Sequence, residues 1–320
     1  MTSPDGLVPV TVLGGYLGAG KTTLVNNLLT NNHGRRLAVL VNDFGAVDID
    51  VDLIVSHDGD TISLKNGCVC CSISDALGES LDRVLALDPQ PDQIIIEASG
   101  VADPTKIASY GYGWPGCRMD AVIILADVET IQDKAKDQFV GELIIRQLRG
   151  ADLVLVTKSD LVSEDTLNSV ICWAADVATV PVTPISHGDI DPKVVLDLSS
   201  FDLDAKRDPQ TSHDTDSIRS AEDMFETATL RLSRPLNRSR LEEALALWPQ
   251  DLMRVKGIVR FSDACDCGAE LHVVQRVGLR SSIEPALPET DLEDAGGRLM
   301  VVARRGAVDT RSLMNGLVDG

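Results

Sequence analysis

Two short segments carry side chains able to do chemistry, and the two chemistries differ. The first, GYLGAGKT at residues 15–22, matches the spacing G-x-x-x-x-G-K-[ST]. In this pattern glycines allow a tight turn whose backbone N–H groups point at phosphate oxygens, and the start of the following helix adds partial positive charge. Gly15, Gly18, Ala19 and Gly20 would form the turn and Lys21 would reach the β- and γ-phosphates. The Thr22 hydroxyl would ligate Mg2+, with Thr23 beside it. The second segment, NGCVCCSI at residues 66–73, puts Cys68, Cys70 and Cys71 within four positions. Thiolates so close suit a soft metal ion, but a redox couple or three small packed side chains would carry the same letters.

A nucleotide site needs a further acid and a pocket for the base. IIIEASG ends an apolar run with Glu97, placed to complete a magnesium site from a strand end, and Gly100 follows three residues on. LVLVTKSD ends another apolar run with Thr157, Lys158 and Asp160. A carboxylate there accepts both the N1–H and the exocyclic amine of guanine. Adenine offers an acceptor at N1 and no amine at C2, so it would leave a buried charge unpaired. The lysine stem can lie over the purine face. The nucleotide expected is GTP, and the catalytic set is Lys21, Thr22 and Glu97.

The elements that must hold these residues are short apolar runs alternating with helical patterns. VPVTVLGG, RLAVLVND, TISLKNG, DQIIIEAS, DAVIILAD and DLVLVTKSD read as strands. TTLVNNLLTNN, SDALGESLDRVLAL, ETIQDKAKDQFVGELIIRQLRGA and a stretch around 163–177 read as helices. Such strands, separated by helices, imply a mainly parallel sheet covered on both faces. Residues 188–222 are polar and acidic and read as a linker with one short helix. Beyond them, strands at 224–234, LMRVKGIVRFS, ELHVVQRVGLRSS and RLMVVARRG, with helices at NRSRLEEALALW and TRSLMNGLVDG, suggest a second domain of ordinary size. The fold class expected is therefore α/β. A P-loop NTPase domain with a mainly parallel, doubly wound sheet would span 1–187, an acidic linker 188–222, and a smaller α+β C-terminal domain 223–320.

Composition narrows the partners. Hydrophobic residues make up 44% of the 320, enough for both parts to bury a core, whereas aromatics at 3% argue against base-stacking platforms. A net charge of −20 repels phosphate backbones and anionic lipid heads, so neither nucleic acid nor membrane is expected as a partner. No basic-then-apolar leader and no apolar run of membrane-spanning length is visible, and a cytoplasmic location is expected. Seven cysteines, three of them crowded, do not read as a disulfide framework.

In order along the chain, TVLGGYLGAGKTTLVNNLL, VNDFGAVDIDVDLI, LKNGCVCCSI, IIIEASGVADP and TKSD resemble the CobW-type GTP-binding proteins. These belong to the class that includes the hydrogenase and urease nickel-insertion GTPases. The resemblance spans 8–186 and extends more weakly over 224–320, chiefly through LMRVKGIVRF. It implies GTP hydrolysis coupled to delivery of a transition metal to a client metalloprotein, with C-x-C-C as the metal motif. Cys68, Cys70 and Cys71 then become ligands for Zn2+ or Co2+, and three protein ligands leave a fourth tetrahedral position open for transfer. By the same resemblance Asp50 matches a family aspartate that holds Mg2+ or its water. Asp43 and Ala46 stand where the family's N-E-F-G-E switch segment carries glutamates; Asp43 is the acid that remains as a metal ligand, and Ala46 offers no side-chain oxygen. Thr157 stands where asparagine is more typical, which bears on affinity rather than on the choice of base.

Other residues read more plainly. Cys265 and Cys267 suit a hairpin better than a second metal site, Cys117 is expected to be structural, and His187 to be a loop residue. The C-x-C-C segment lies between the switch-like NDFGAVDID and the Glu97 strand, so GTP would order it and draw the cysteines together. The leading expectation is a metal-coupled GTPase, slow on its own because no arginine finger shows in the motif segments. The alternative is a GTP-regulated switch or zinc-buffering protein that transfers no metal. Homodimerisation is compatible with this class of GTPase and is undecided by the sequence.

Overall fold

The computed structural model describes residues 6–30, 34–42, 52–57, 60–64, 73–197, 224–249, 251–262, 271–287, 294–307 and 309–318. The chain divides into two compact units, Met1–Asp197 and Leu198–Gly320.

In the first unit the elements run β1 (Val8–Gly14), α1 (Lys21–Thr30), β2 (Leu37–Asn42), β3 (Asp52–His57), β4 (Asp60–Leu64), α2 (Ile73–Leu85) and β5 (Gln93–Ala98). They continue α3 (Pro104–Gly113), β6 (Cys117–Asp127), α4 (Ile131–Lys136), α5 (Gly141–Arg149), β7 (Leu153–Thr157), α6 (Glu164–Ala178), β8 (Val182–Pro184) and α7 (Pro192–Val195). The sheet order is β4-β3-β2-β5-β1-β6-β7-β8. From β2 to β8 the strands are parallel, while β3 pairs antiparallel with β2, and β4 with β3. Every residue of β1, β5, β6 and β7 is buried, as expected of central strands covered on both faces. The expected doubly wound α/β domain is thus the architecture observed. The parallel strands all end at one edge, and the loops that leave β1, β5, β6 and β7 gather there.

Several features of the first unit depart from the sequence reading, among them strand β3, which was not expected. The long helix expected over 129–151 is two helices. Asp137 Oδ1 accepts the N–H groups of Phe139 (2.8 Å) and Val140 (3.1 Å), ending α4 and starting α5. Gly141 permits the close return, since a Cβ there would lie 2.5 Å from the Ala135 carbonyl oxygen. Helix α3 was not expected; Asp103 caps it, accepting from Thr105 N at 3.1 Å, and Pro104 fits its first turn. The first unit also runs past the expected boundary at 187. Helix α7 is the short helix of the segment read as linker, and Val194, Val195 and Leu196 are fully buried with the first unit. Asp197 ends it in a buried polar network: its carboxylate accepts from Arg118 at 2.9 Å, its N–H donates to Gln93 Oε1 at 2.8 Å, and its carbonyl accepts from Arg35.

Among the described residues the second unit is a five-stranded antiparallel sheet with two helices: β9 (Phe225–Leu232), α8 (Arg238–Leu247), β10 (Leu252–Arg260), β11 (Leu271–Val277), β12 (Arg280–Pro285), β13 (Gly297–Arg304) and α9 (Thr310–Val318). The order is β12-β11-β10-β13-β9. Leu241, Leu245, Leu313 and Leu317 of the helices pack on Leu230, Val255, Val274, Leu299 and Val301 of the sheet. The single strand expected over ELHVVQRVGLRSS is the hairpin β11–β12, turned at Gly278 with φ +55. Arg276 lies inside this unit, donating to the Trp248 and Leu252 carbonyls at 3.0 Å, and burial pulls its pKa down to about 10.

Breaking the buried Arg118–Asp197 pair tests where the first unit ends. Asp197→Ala should cost about 3–5 kcal/mol, read as lost hydrogen-exchange protection of the β5 and β6 amides. Unchanged protection would return residues 188–197 to the linker.

Candidate functional site

The site is built at the edge where the parallel strands end. The phosphate loop joins β1 to α1, and its glycines are there for geometry. Gly15, Gly18 and Gly20 hold φ of +129, +77 and +89, a region that side-chain-bearing residues seldom adopt. Gly15 also passes under β6, where a Cβ would lie 2.3 Å from the Leu125 carbonyl oxygen. Ala19 is buried, and its N–H closes the turn onto the Tyr16 carbonyl at 3.1 Å. Lys21 is buried, and its ammonium donates to the carbonyls of Gly15 (2.8 Å) and Tyr16 (3.3 Å), which holds the charge against the loop.

Thr22, in the first turn of α1, donates from Oγ1 to Glu97 Oε1 at 2.8 Å. Glu97 is buried near the end of β5, so helix and strand meet through a hydroxyl and a carboxylate. These are hard oxygen donors of the kind Mg2+ prefers, and the donor set fits that ion. The turn after β5 lies against the phosphate loop, and Gly100 makes this approach work. A Cβ at Gly100 would lie 2.6 Å from the Leu17 backbone nitrogen. Gln147, buried on α5, pins the turn from beneath through Ala102 O (2.8 Å) and Gly100 O (3.4 Å).

The base side is formed by the end of β7. Thr157 Oγ1 donates to the Ala19 carbonyl at 3.0 Å, tying β7 to the phosphate loop. Lys158 follows in a left-handed conformation, φ +59, and its ammonium meets Asp127 Oδ2 at 2.6 Å. Asp160 stands on a 3₁₀ turn, Ser159–Leu161, with Oδ2 3.4 Å from His187 Nε2. The turn Ser186–Asp189 that carries His187 rests on α1: a Cβ at Gly188 would lie 3.0 Å from Thr23 O.

Gly15, Gly18, Ala19, Gly20, Lys21, Thr22, Thr23, Glu97, Gly100, Thr157, Lys158 and Asp160 therefore converge on one edge of one sheet. Asp43, Asp50, Cys68, Cys70, Cys71, Cys265 and Cys267 lie outside the described residues. Among the described residues no group of three His, Cys, Asp or Glu side chains is placed to hold a metal ion, and no helix is long and apolar enough to cross a membrane. Cys117 opens β6, at the end of the sheet remote from the phosphate loop. Burial, with a smaller contribution from Asp82, pushes its thiol up to about 11, as suits a packed, protonated side chain. Two residues of the site, Gln147 and Asp127, escaped the sequence reading, as did the contact of His187 with Asp160. Asp127 did carry a signal, an acid directly after the apolar run AVIILA, as Glu97 directly follows III.

Comparison with known proteins gives two family matches. Residues 9–183 match the CobW/HypB/UreG nucleotide-binding domain, and residues 225–319 match the cobalamin synthesis protein cobW C-terminal domain. The zinc chaperone YjiA of Escherichia coli K12 is 36% identical over 206 residues, 62% of this chain and 63% of its own. The zinc-regulated GTPase metalloprotein activator 1 of Schizosaccharomyces pombe is 30% identical over 230 residues, 68% of this chain and 54% of its own. The matched region thus spans less than two thirds of the length of these relatives. A solved structure, that of Zn(II)-bound YjiA GTPase from E. coli, aligns over 97% of this chain and 98% of its own at 24% identity and a TM-score of 0.46.

Adding one methyl group tests the joint between the phosphate loop and the β5 turn. Gly100→Ala should lower nucleotide affinity about tenfold and cost about 1–3 kcal/mol of stability, because Leu17 meets it with backbone. Gly113→Ala, where nothing lies within 4 Å, should leave both unchanged. Titration with a fluorescent GTP analogue and thermal unfolding of the two variants provide the comparison.

Proposed function

The chain belongs to the CobW/HypB/UreG family, and from that premise we propose that it is a GTPase coupling GTP hydrolysis to the binding of a transition metal, zinc or cobalt, and its delivery to a client metalloprotein. The observation that carries the reading is the contact of Thr22 with Glu97 at 2.8 Å beside the Lys21 ammonium. It brings a cation, a hydroxyl and a carboxylate to the mouth of a phosphate-binding turn. The backbone N–H groups of residues 18–22 and the N-terminus of α1 would receive the phosphate oxygens. Lys21 would exchange its loop carbonyls for β- and γ-phosphate oxygens. Thr22 and Glu97 would hold Mg2+, which when bound neutralises charge on the β- and γ-phosphates. Asp160 would read the guanine edge, with the Lys158 stem over the ring.

Metal is the cargo in this reading. Cys68, Cys70 and Cys71 supply soft thiolates, and residues 65–72, which contain them, join β4 to α2, one element before the strand that carries Glu97. The names of the zinc chaperone and the zinc-regulated GTPase among the relatives support zinc as the metal.

Phosphate release from Mg·GTP tests the enzyme. Thr22→Ala and Glu97→Gln should each lower turnover by about 10²-fold, and ATP should be hydrolysed far more slowly than GTP by the wild type. A Thr22→Ala variant as active as the wild type would contradict the assignment of the magnesium site. Metal transfer is tested separately, with Zn2+-loaded chain and a reporter chelator. Zinc bound through the three cysteines but never released on GTP hydrolysis would leave a GTP-regulated, zinc-buffering protein.

A further inference from the structure

We propose that Asp127 and His187 are positioning residues of the base pocket, holding Lys158 and Asp160 from the two sides of β7. The proposal rests on the guanine site described above. In the sheet, β7 lies between β6 and β8. Asp127 is the last residue of β6, in register with Thr157, and His187 lies on the turn that follows β8. Neither residue belongs to the T-K-x-D segment, yet each grips one of its two charged side chains.

The Asp127 grip is short and sheltered. Its side chain is 8% exposed, Oδ1 accepts from the Glu129 N–H at 3.0 Å, and Oδ2 accepts from Lys158 Nζ at 2.6 Å. With one oxygen held by backbone, the other presents a fixed anion to the lysine, and a charge-assisted bond of this length is strong. A lysine stem is otherwise rich in rotamers, so tethering its head before nucleotide arrives removes ordering entropy from binding. The tethered stem then offers a ready surface to a purine face.

The His187 grip is lighter. Its Nε2 lies 3.4 Å from Asp160 Oδ2, and the ring is 84% exposed, so the contact contributes little stability. What it supplies is orientation of a carboxylate that is itself 34% exposed. The turn that brings it there is braced, with His187 at φ +54, Gly188 at φ +71 and the latter packed on Thr23 and Leu24 of α1. Among the described residues three that are not glycine hold positive φ, and two of them are Lys158 and His187. Backbone strain of this kind gathers where a site needs a side chain aimed.

The two grips act on different contacts, so their loss has different signatures. The Lys158 stem meets the face of any purine, whereas Asp160 reads only the guanine edge. Asp127→Asn keeps an acceptor for the Glu129 N–H and removes the charge, so it should weaken GTP and ATP alike, by about tenfold. His187→Gly suits a left-handed turn and removes the ring, so it should lower the GTP-to-ATP affinity ratio about fivefold with ATP binding unchanged. His187→Asn, also compatible with that backbone and able to donate, should restore part of the ratio.

The experiment is equilibrium titration of the full chain with fluorescent GTP and ATP analogues in Mg2+, with Asp160→Ala as reference and thermal unfolding of each variant as a check on folding. If Asp160→Ala leaves the ratio at the wild-type value, the guanine reading fails and this proposal falls with it. If Asp160→Ala collapses the ratio while Asp127→Asn and His187→Gly bind both nucleotides as the wild type does, the guanine reading stands and the positioning roles are overturned. Equal losses of GTP and ATP in His187→Gly would likewise overturn the role given to His187.

Discussion

The hydrogen bond from Thr22 to Glu97 is the constraint on which the rest of the first unit is organised. It spans 2.8 Å between the first turn of α1 and the end of β5, and neither residue is near the other in sequence. Meeting requires β1 and β5 to be parallel neighbours in a register that brings Leu13 opposite Glu97. Both strands are buried on both faces through mainly apolar runs, and the polar Thr11 of β1 is satisfied by Asp120 and Gln93. The chain reaches β2 on one side of β1 and β6 on the other, so β1 sits where the strand order reverses, the position at which open α/β sheets form a crevice. Placing the phosphate loop there lets β5, β6 and β7 each deliver a residue at or next to the strand end to the same edge of the sheet: Glu97, Asp127 and Thr157.

Packing explains residues that chemistry alone would leave unexplained. Gly100 is needed because the β5 turn approaches the Leu17 backbone, and Gly15 because the loop passes the Leu125 carbonyl. Thr157 uses its hydroxyl to hold the Ala19 carbonyl. The side chain thereby straps the end of β7 to the phosphate loop. Gln147 serves the same end from α5, anchoring the turn that follows Glu97.

How much of this was readable beforehand depended on the range of the interaction. The phosphate loop, the T-K-S-D segment and the central strands are local patterns, and they appear where the residues pointed. The hairpin at Gly278 and the break at Asp137 were missed because one turn residue outweighed a periodic pattern that continued on both sides of it. The end of the first unit was misread for a different cause. Segment 188–197 is polar in sequence, yet Asp197 is fully buried through partners at Arg35, Gln93 and Arg118, which lie far away along the chain. The contacts of Asp127 with Lys158 and of His187 with Asp160 depend on which strands flank β7, and no local pattern encodes strand order.

The central claim is that the nucleotide and the three clustered cysteines share one thermodynamic account. In the proposed reading Glu97 holds Mg2+ beside the γ-phosphate, and residues 65–72 lie one helix earlier in the chain than the strand that carries it. If the two are linked, nucleotide state must change metal affinity, and by reciprocity metal must change nucleotide affinity by the same factor. The direct test is an anaerobic titration of the reduced chain with Co2+, following thiolate-to-metal absorption with Mg·GTP or Mg·GDP present and with Cys70→Ser as reference. The account predicts affinity at least about tenfold tighter with GTP, a coupling of about 1.4 kcal/mol, and a much reduced signal in Cys70→Ser. Equal affinity in the two nucleotide states would contradict it.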